Sequence, residues 1–427
     1  MSDCKVRVKF GINADINVPS SKSYTNRAYI ISSLADGKSL IKNVLVSEDT
    51  LYMQKALSSL GVSFEKIGDD VIVKGGVNCL KPFSNEIYVG NSGTCLRFLT
   101  PFCALINGKT VLTGSSRLKE RPMTDLLGAI PIAGISAVSK QSNGFAPIII
   151  DGRGTILGGT VRLSGEISSQ CASALLLCAP YASRDIEIFI KGELTSKPYV
   201  DMTLDIMKDF GASVERDGYK RFFVKAGAHY QPREYSIEGD YSSAGYFFAA
   251  AALTGGVVKV RGLKPNSKQG DAKMLSLLEQ MGCAILKGED FVEVRGPQAL
   301  KPVTADMNAC PDMAMTIAVL AAFAEGKTTI KNVYNIRLKE CDRLAATVQG
   351  LKTLGVFVEA LDDGMMIHGS CDARAIHGGA IDTYNDHRIA MSFALAGLRI
   401  PGVIIRNKEC VSKTFPNFWE CFERLYG

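Results

Sequence analysis

Short runs in which apolar and polar residues alternate give way, along this chain, to stretches with apolar residues at i, i+3 and i+4. Then the order begins again. Alternation predicts half-buried strands, and the second spacing predicts amphipathic helices. Two of the strand-like runs are nearly identical: residues 37–44 read GKSLIKNV and residues 326–333 read GKTTIKNV. Weaker copies begin at Gly108 (GKTVLTGS), near Asp185 (DIEIFIKGEL), at Gly256 (GVVKVRGL) and near Gly402 (GVIIRNKE). Six copies in 427 residues are about 71 residues apiece, longer than the common solenoid units, so each copy predicts a small subdomain.

Each copy has the same parts. An amphipathic helix ending at glycine follows the strand: 49–60 before Gly61, 122–133 before Gly134, and 198–210 before Gly211. The series continues with 271–281 before Gly282, 338–354 before Gly355, and 416–426 before Gly427. A terminal glycine is the usual helix stop. A β-hairpin comes next, as in VSFEKIGDDVIV at 62–73 and VFVEALDDGMMI at 356–367, whose Gly-Asp-Asp and Asp-Asp-Gly tips suit tight turns. A second, more apolar helix closes the copy, opening on small polar residues from Ser20, Gly90, Gly165, Gly239, Asn308 and Tyr384. Helices apolar all round are predicted to be buried.

The sixth copy lacks a hairpin, because the sequence stops at Gly427, and the strand-like segment 5–17 belongs to no copy. The economical solution completes the sixth copy with that segment. Two domains of three βαβαββ-type copies follow: residues 1–19 with 239–427, and 20–238 inserted between them. The crossings between Pro19 and Ser20 and between Glu238 and Gly239 would form a hinge. The fold class is α/β.

Composition narrows the function. A mean hydropathy of +0.09 with 46% hydrophobic residues describes a folded chain. The net charge of +6 comes without a basic stripe, so no nucleic-acid partner is expected. Twelve cysteines, Cys4, Cys79, Cys95, Cys103, Cys171, Cys178, Cys283, Cys310, Cys341, Cys371, Cys410 and Cys421, show no C-x-x-C pair. They read as free thiols of a reducing compartment. His229, His368, His377 and His387 stand at no ligand spacing from a cysteine, so no metal is expected. The start MSDCKVRVKF is unlike a signal peptide. The longest apolar runs, near 244–253 and 317–324, are shorter than the ~20 residues a membrane helix needs. A cytoplasmic protein is expected, with no membrane partner.

The candidate chemistry lies at the polar openings of the buried helices. Helix N-termini bind anions through unpaired N–H groups and the dipole, although Ser, Asp and Gly there also serve as ordinary caps. Cations occur in the same turns, where the dipole disfavours them: Lys22 and Arg27 at the first opening, Arg97 at the second, Arg388 at the sixth. Further cations stand in matched loops, Arg117, Lys119 and Arg121 in copy two, Arg337, Lys339 and Arg343 in copy five, with Lys413 at the equivalent place in copy six. One such loop per domain predicts a shared cleft for anions, and arginine forks suit carboxylate and phosphate.

The segments PSSKSYTNRA from Pro19, GNSGTCLR from Gly90, RLKERPM from Arg117, SSQ from Ser168 and SKPY from Ser196 carry a resemblance. So do PDMAM from Pro311, N-x-R-x-KE-x-DR from Asn335, YNDHRIAM from Tyr384 and K-TFP from Lys413. In register over the whole chain, they resemble the 5-enolpyruvylshikimate-3-phosphate synthase family. The resemblance implies a two-domain inside-out α/β barrel of six repeats, with its active site in the interdomain cleft. It implies enolpyruvyl transfer from phosphoenolpyruvate to the 5-hydroxyl of shikimate 3-phosphate, on the path to aromatic amino acids. Phosphate is released through a tetrahedral intermediate, no cofactor takes part, and a monomer is expected.

The resemblance also assigns residues. Lys22, Arg121, Gln170, Arg343, Arg388 and Lys413 would hold phosphoenolpyruvate, with Asn91 and Gly93 lining its pocket. Lys22, Ser23, Arg27, Ser168, Ser169, Ser196, Tyr199, Asp312, Asn335 and Lys339 would hold shikimate 3-phosphate. Asp312 would be the general base, and Glu340 with Lys22 would manage the proton at the methylene carbon. Two departures stand out: Ser20 replaces the family's usual glycine, and Phe98 stands where many members have proline. Phe98 puts the response to glyphosate, the family's inhibitor, in question. The sister transferase acting on UDP-N-acetylglucosamine is the nearest alternative, but it would need a reactive cysteine in the loop 117–121. A nucleotide-binding relative on the same repeat would want a phosphate-binding glycine loop of the P-loop kind. A silent relative would have lost one of the cations or acids.

Overall fold

The computed structural model describes residues 2–370 and 375–427, so Cys371 lies outside the described residues. The chain divides into two compact units, one made of Met1–Pro19 with Glu238–Gly427 and the other of Ser20–Ile237. Each has its own apolar core.

Twelve α-helices carry the architecture among the described residues. In the inserted unit they are α1 (Lys22–Leu34), α2 (Glu48–Ser59), α3 (Gly93–Ala104), α4 (Thr124–Ala129), α5 (Ser169–Cys178) and α6 (Lys197–Asp209). In the other unit they are α7 (Tyr241–Thr254), α8 (Met274–Gln280), α9 (Ala314–Ala322), α10 (Arg343–Thr353), α11 (His387–Ala394) and α12 (Phe418–Glu423). Odd-numbered helices are the apolar ones. Every residue of α7, α9 and α11 is buried, and so is every residue of α3 except Thr94 and of α5 except Gln170. The sheets show alternating burial and lie outside these helices. Each unit is therefore a barrel turned inside out, with helices within and sheets without.

The second copy shows the repeat most simply. Strands Glu86–Tyr88 and Asn107–Thr113 pair in parallel, with α3 as the crossover. The hairpin Ser136–Ser139 and Ile148–Arg153 then returns antiparallel. Five of the six sheets have this four-stranded order, and the sixth has three strands. In each unit a strand from the far end of the unit's sequence closes the ring. Glu234–Ser236 supplies the parallel strand to Gly37–Lys42 of copy one. The turn leaving the strand needs a left-handed residue: Asn43, Asn332 and Asn407 have φ of 54°, 61° and 51°. Asparagine adopts that conformation more readily than most residues, which explains the recurring K-N and R-N.

Three expectations need correction. The segment 5–17 does not go whole to the sixth copy. Cys4–Lys5 pairs antiparallel with Ile404–Ile405 of that copy, whereas Asn13–Asn17 pairs in parallel with Val257–Arg261 of the fourth. Gly11, at φ 59°, breaks the run between them. The helices expected over 122–133, 271–281 and 416–426 are each a short α-helix joined to a 3₁₀ turn, Ile130–Ala133, Gly270–Lys273 and Arg424–Tyr426. In the first case Pro131 removes a backbone donor. The helix expected over 338–354 begins only at Arg343, because the Asp342 side chain caps it, accepting from Ala345 N at 2.9 Å. Lys339 and Glu340 therefore stand on a non-helical loop.

Candidate active site

Five of the six helix openings keep the capping role that their sequence suggested. Ser21, Ser92, Ser168, Asp240 and Asp386 each accept a backbone N–H of the helix they precede, contributing about 1 kcal/mol per cap. The exception is α9. Its entry is the 3₁₀ turn Pro311–Met313, with proline where a donor is dispensable. The acid in that turn, Asp312, spends its oxygens elsewhere.

Asp312 Oδ1 accepts from Arg343 Nη1 at 2.9 Å, and Oδ2 lies 2.8 Å from Arg388 Nη2. Arg343, the first residue of α10, is 1% exposed. Its Nε donates to Asp386 Oδ2 at 2.7 Å and its Nη2 to Glu340 Oε2 at 2.7 Å. One guanidinium thus ties the turn before α9, the loop before α10 and the cap of α11. Burial works against its charge, but Asp386, Glu340 and Asp312 hold its pKa well above the ordinary arginine value. Glu340 Oε1 lies 3.8 Å from Lys413 Nζ, and Arg388 Nη1 donates to the Tyr246 hydroxyl at 3.3 Å. This cluster brings together Asp312, Glu340, Arg343, Arg388 and Lys413, all assigned from the sequence. Asn335 is buried in the preceding 3₁₀ turn Tyr334–Leu338, and Lys339 is half-buried beside it. Arg337 is instead a brace, pairing with Asp342 at 3.1 Å and donating to the Leu361 carbonyl.

The inserted unit has a second basic cluster. Gly93 opens α3 so closely to two guanidiniums that a Cβ would lie 2.6 Å from Arg121 Nη2 and 2.7 Å from Arg97 Nη1. Arg121, 4% exposed, donates to the Asn91 carbonyl at 3.1 Å. Arg97 Nη1 donates to Gln170 Oε1 at 3.0 Å, and Gln170 Nε2 donates to Thr94 Oγ1 at 3.2 Å. Asn91, Gly93, Arg121 and Gln170 are therefore neighbours through the Arg97 bridge. Lys22, at the start of α1, pairs with Asp49 at 3.3 Å. Ser23 is half-buried, and Ser168 caps α5 with Ser169 buried in its first turn. Ser196 immediately precedes α6 in the left-handed conformation at φ 54°; such strained non-glycine residues concentrate at functional sites.

Arg27 is placed differently from the other cations. Its Nε donates to Thr203 Oγ1 at 2.8 Å, Nη1 to the Ser23 carbonyl at 3.0 Å, and Nη2 to the Tyr199 carbonyl at 2.9 Å. Burial pulls its pKa down to about 10. It pins α1 to α6, and Tyr199 enters this cluster through its backbone while its ring packs on the core. Arg117 pairs with Glu120 at 2.9 Å, and Lys119 is exposed.

Sequence reasoning left Asp386, Asp49 and Tyr246 unassigned. The first two are acids at helix starts, where capping and the dipole are the ordinary explanation. Only Asp386 carried a signal, two residues before the assigned Arg388 in YNDHR; Asp49 stands near no assigned cation in the sequence. Among the described residues, no group of three or more His, Cys, Asp and Glu could hold a metal ion, and no helix is long and apolar enough to cross a membrane.

Residues 7–422 match the EPSP synthase (3-phosphoshikimate 1-carboxyvinyltransferase) family. The 3-phosphoshikimate 1-carboxyvinyltransferase of Trichormus variabilis is 42% identical over 418 residues, covering 97% of each chain. The enzyme of the same name from Sulfurovum sp. is 44% identical over 423 residues, again covering 97% of each. A solved EPSP synthase from Acinetobacter baumannii superposes with a TM-score of 0.82 at 27% identity, covering 99% of this chain and 98% of that one. Fold and sequence together place the chain among the transferases that move a carboxyvinyl group. It belongs to the EPSP synthase family.

Proposed function

We propose that the basic clusters of the two units bind one phosphoenolpyruvate and one shikimate 3-phosphate together. The enolpyruvyl group then passes to the 5-hydroxyl of the phosphosugar acid. The observation that carries this reading is Asp312, held between Arg343 and Arg388 at 2.9 and 2.8 Å. A carboxylate so fixed cannot rotate away, and a general base must keep its oxygen within hydrogen-bond reach of the hydroxyl it deprotonates.

Asp312 takes the hydroxyl proton as the oxygen attacks C2 of phosphoenolpyruvate. Glu340, with Lys22, delivers a proton to the methylene carbon, giving a tetrahedral adduct. Phosphate then leaves with the C2–O bonding pair, and one methyl proton is returned to the protein, restoring the double bond. Arg121, Gln170, Arg343, Arg388 and Lys413, with Asn91 and Gly93, would hold phosphoenolpyruvate. Ser23, Ser168, Ser169, Ser196, Asn335 and Lys339 would hold shikimate 3-phosphate. Arg27 and Tyr199 serve that site best as its frame, given the acceptors that Arg27 already binds. Two polyanions repel each other, and buried cations offset this while stabilising charge that develops on the adduct. No metal or organic cofactor enters this reading, and its working form is a cytoplasmic monomer.

Initial rates against phosphoenolpyruvate concentration at saturating shikimate 3-phosphate test whether both units serve that ligand. Arg121→Ala changes one unit and Arg388→Ala the other, and each is expected to raise KM for phosphoenolpyruvate at least tenfold. A variant with the wild-type KM for phosphoenolpyruvate removes its unit from the site. Gly93→Ala makes a finer prediction. Its Cβ would displace Arg121 and Arg97, so KM for phosphoenolpyruvate should rise roughly tenfold with kcat changing far less. Initial rates against phosphoenolpyruvate concentration check this.

A further inference from the structure

Asp271 is a buried carboxylate that the proposed chemistry leaves unused. It is 3% exposed, in the 3₁₀ turn Gly270–Lys273, which packs on both α7 and the turn holding Asp312. Its Oδ2 accepts from the Ser242 hydroxyl at the start of α7. Its Oδ1 has no hydrogen-bond partner among the described residues. A buried unpartnered carboxylate oxygen is costly and calls for a reason. The groups that face it are Asp312 on the adjoining turn with Cys310 just before it, Arg388 on α11, Ser242 on α7 and Asp240 just before that helix; Lys273 stands on its own turn.

We infer that Asp271 is a positioning residue for Asp312, a second buried carboxyl group that competes with it for the charge of Arg388. When Asp271 carries a proton, Arg388 acts on Asp312 alone and weakens it as a base. When Asp271 ionises, the second negative charge draws on Arg388 and makes Asp312 the better proton acceptor. Burial, and then the nearby Asp312, push the Asp271 pKa up to about 7, so the change falls in the working pH range. The inference rests on the reading of Asp312 as the base.

The test uses the full chain with Asp271→Asn, which keeps the shape and the acceptor for Ser242 but cannot ionise. The pH profile of kcat in wild type should contain an ionisation near neutrality that the variant lacks. At pH 8.5 the variant should be about tenfold slower than wild type, and at pH 6 within about twofold, one pKa unit being a factor of ten. Ser242→Ala removes a hydrogen bond to the ionised form, so it should move the same ionisation upward. A deficit in Asp271→Asn that is equal at every pH would mean a merely structural role and overturn the inference.

Urea unfolding of wild type and Asp271→Asn from pH 4 to 8 reads the proton without reference to catalysis. A carboxyl whose folded pKa is raised contributes stability below its unfolded pKa that is lost as pH rises through the folded value. The variant should therefore gain on wild type between about pH 4 and pH 7 and hold that gain above. A difference flat across that range would show an ordinary carboxylate and also overturn the inference. If instead Asp312 proves not to be the base, its own variants will keep activity while this stability signature persists, so the two failures are distinguishable.

Discussion

Asp312→Ala is expected to lower kcat by about a thousandfold, within the range that a positioned general base supplies. Asp312 makes ion pairs with both Arg343 and Arg388, so the substitution also frees two cations that are proposed to hold phosphoenolpyruvate. KM for phosphoenolpyruvate should therefore change little or fall, while KM for shikimate 3-phosphate rises with the lost hydroxyl contact. Steady-state kinetics with each substrate varied in turn separates these effects. A variant retaining more than about a tenth of wild-type kcat would remove Asp312 from the role of base.

Arg343→Ala is expected to give the largest loss of stability of any substitution in the cluster. Three carboxylates, Asp386, Glu340 and Asp312, converge on this one guanidinium. Asp386 is fully buried and the Glu340 side chain is 8% exposed. Removing the shared cation takes the closest compensating charge from buried Asp386 and Glu340, which costs about 3–5 kcal/mol. In a unit of this size that corresponds to a fall of roughly 10 °C in midpoint, readable by thermal unfolding. Arg343→Lys should recover part of it, because a single ammonium cannot bridge three carboxylates as the planar fork does. A variant as stable as wild type would mean that the three acids are satisfied without Arg343.

Much of this fold is legible in the residues. The twin segments at 37–44 and 326–333, the helices that stop at glycine and the apolar runs opened by Ser or Asp all report local physics that tertiary packing preserves. The N-terminal segment was misread because two short strands lie in one apolar-alternating run, and only the kink at Gly11 sends them to different sheets. The position of Glu340 was hidden because residues 338–354 have helical spacing throughout. The Asp342 cap interrupts it, and so brings Glu340 onto Arg343 and near Lys413.

The site was legible as a set of cations and only partly as a geometry. Lys22 and Arg27 look equivalent in sequence, yet five residues on a helix separate them by about 140°. That turn sends Arg27 inward onto Thr203 and the Tyr199 carbonyl. Asp386 could not be told from an ordinary N-cap, because it is one: its Oδ1 caps α11 at 2.8 Å while its Oδ2 takes Arg343 Nε. A residue serving backbone and site at once carries no sequence signal for the second role.

The most direct test of the account is phosphate release by the purified chain, with phosphoenolpyruvate and shikimate 3-phosphate supplied together and each alone. Release only when both are present, and abolished by Asp312→Ala, is the predicted result. Release with UDP-N-acetylglucosamine in place of shikimate 3-phosphate, or none with either acceptor, would contradict it.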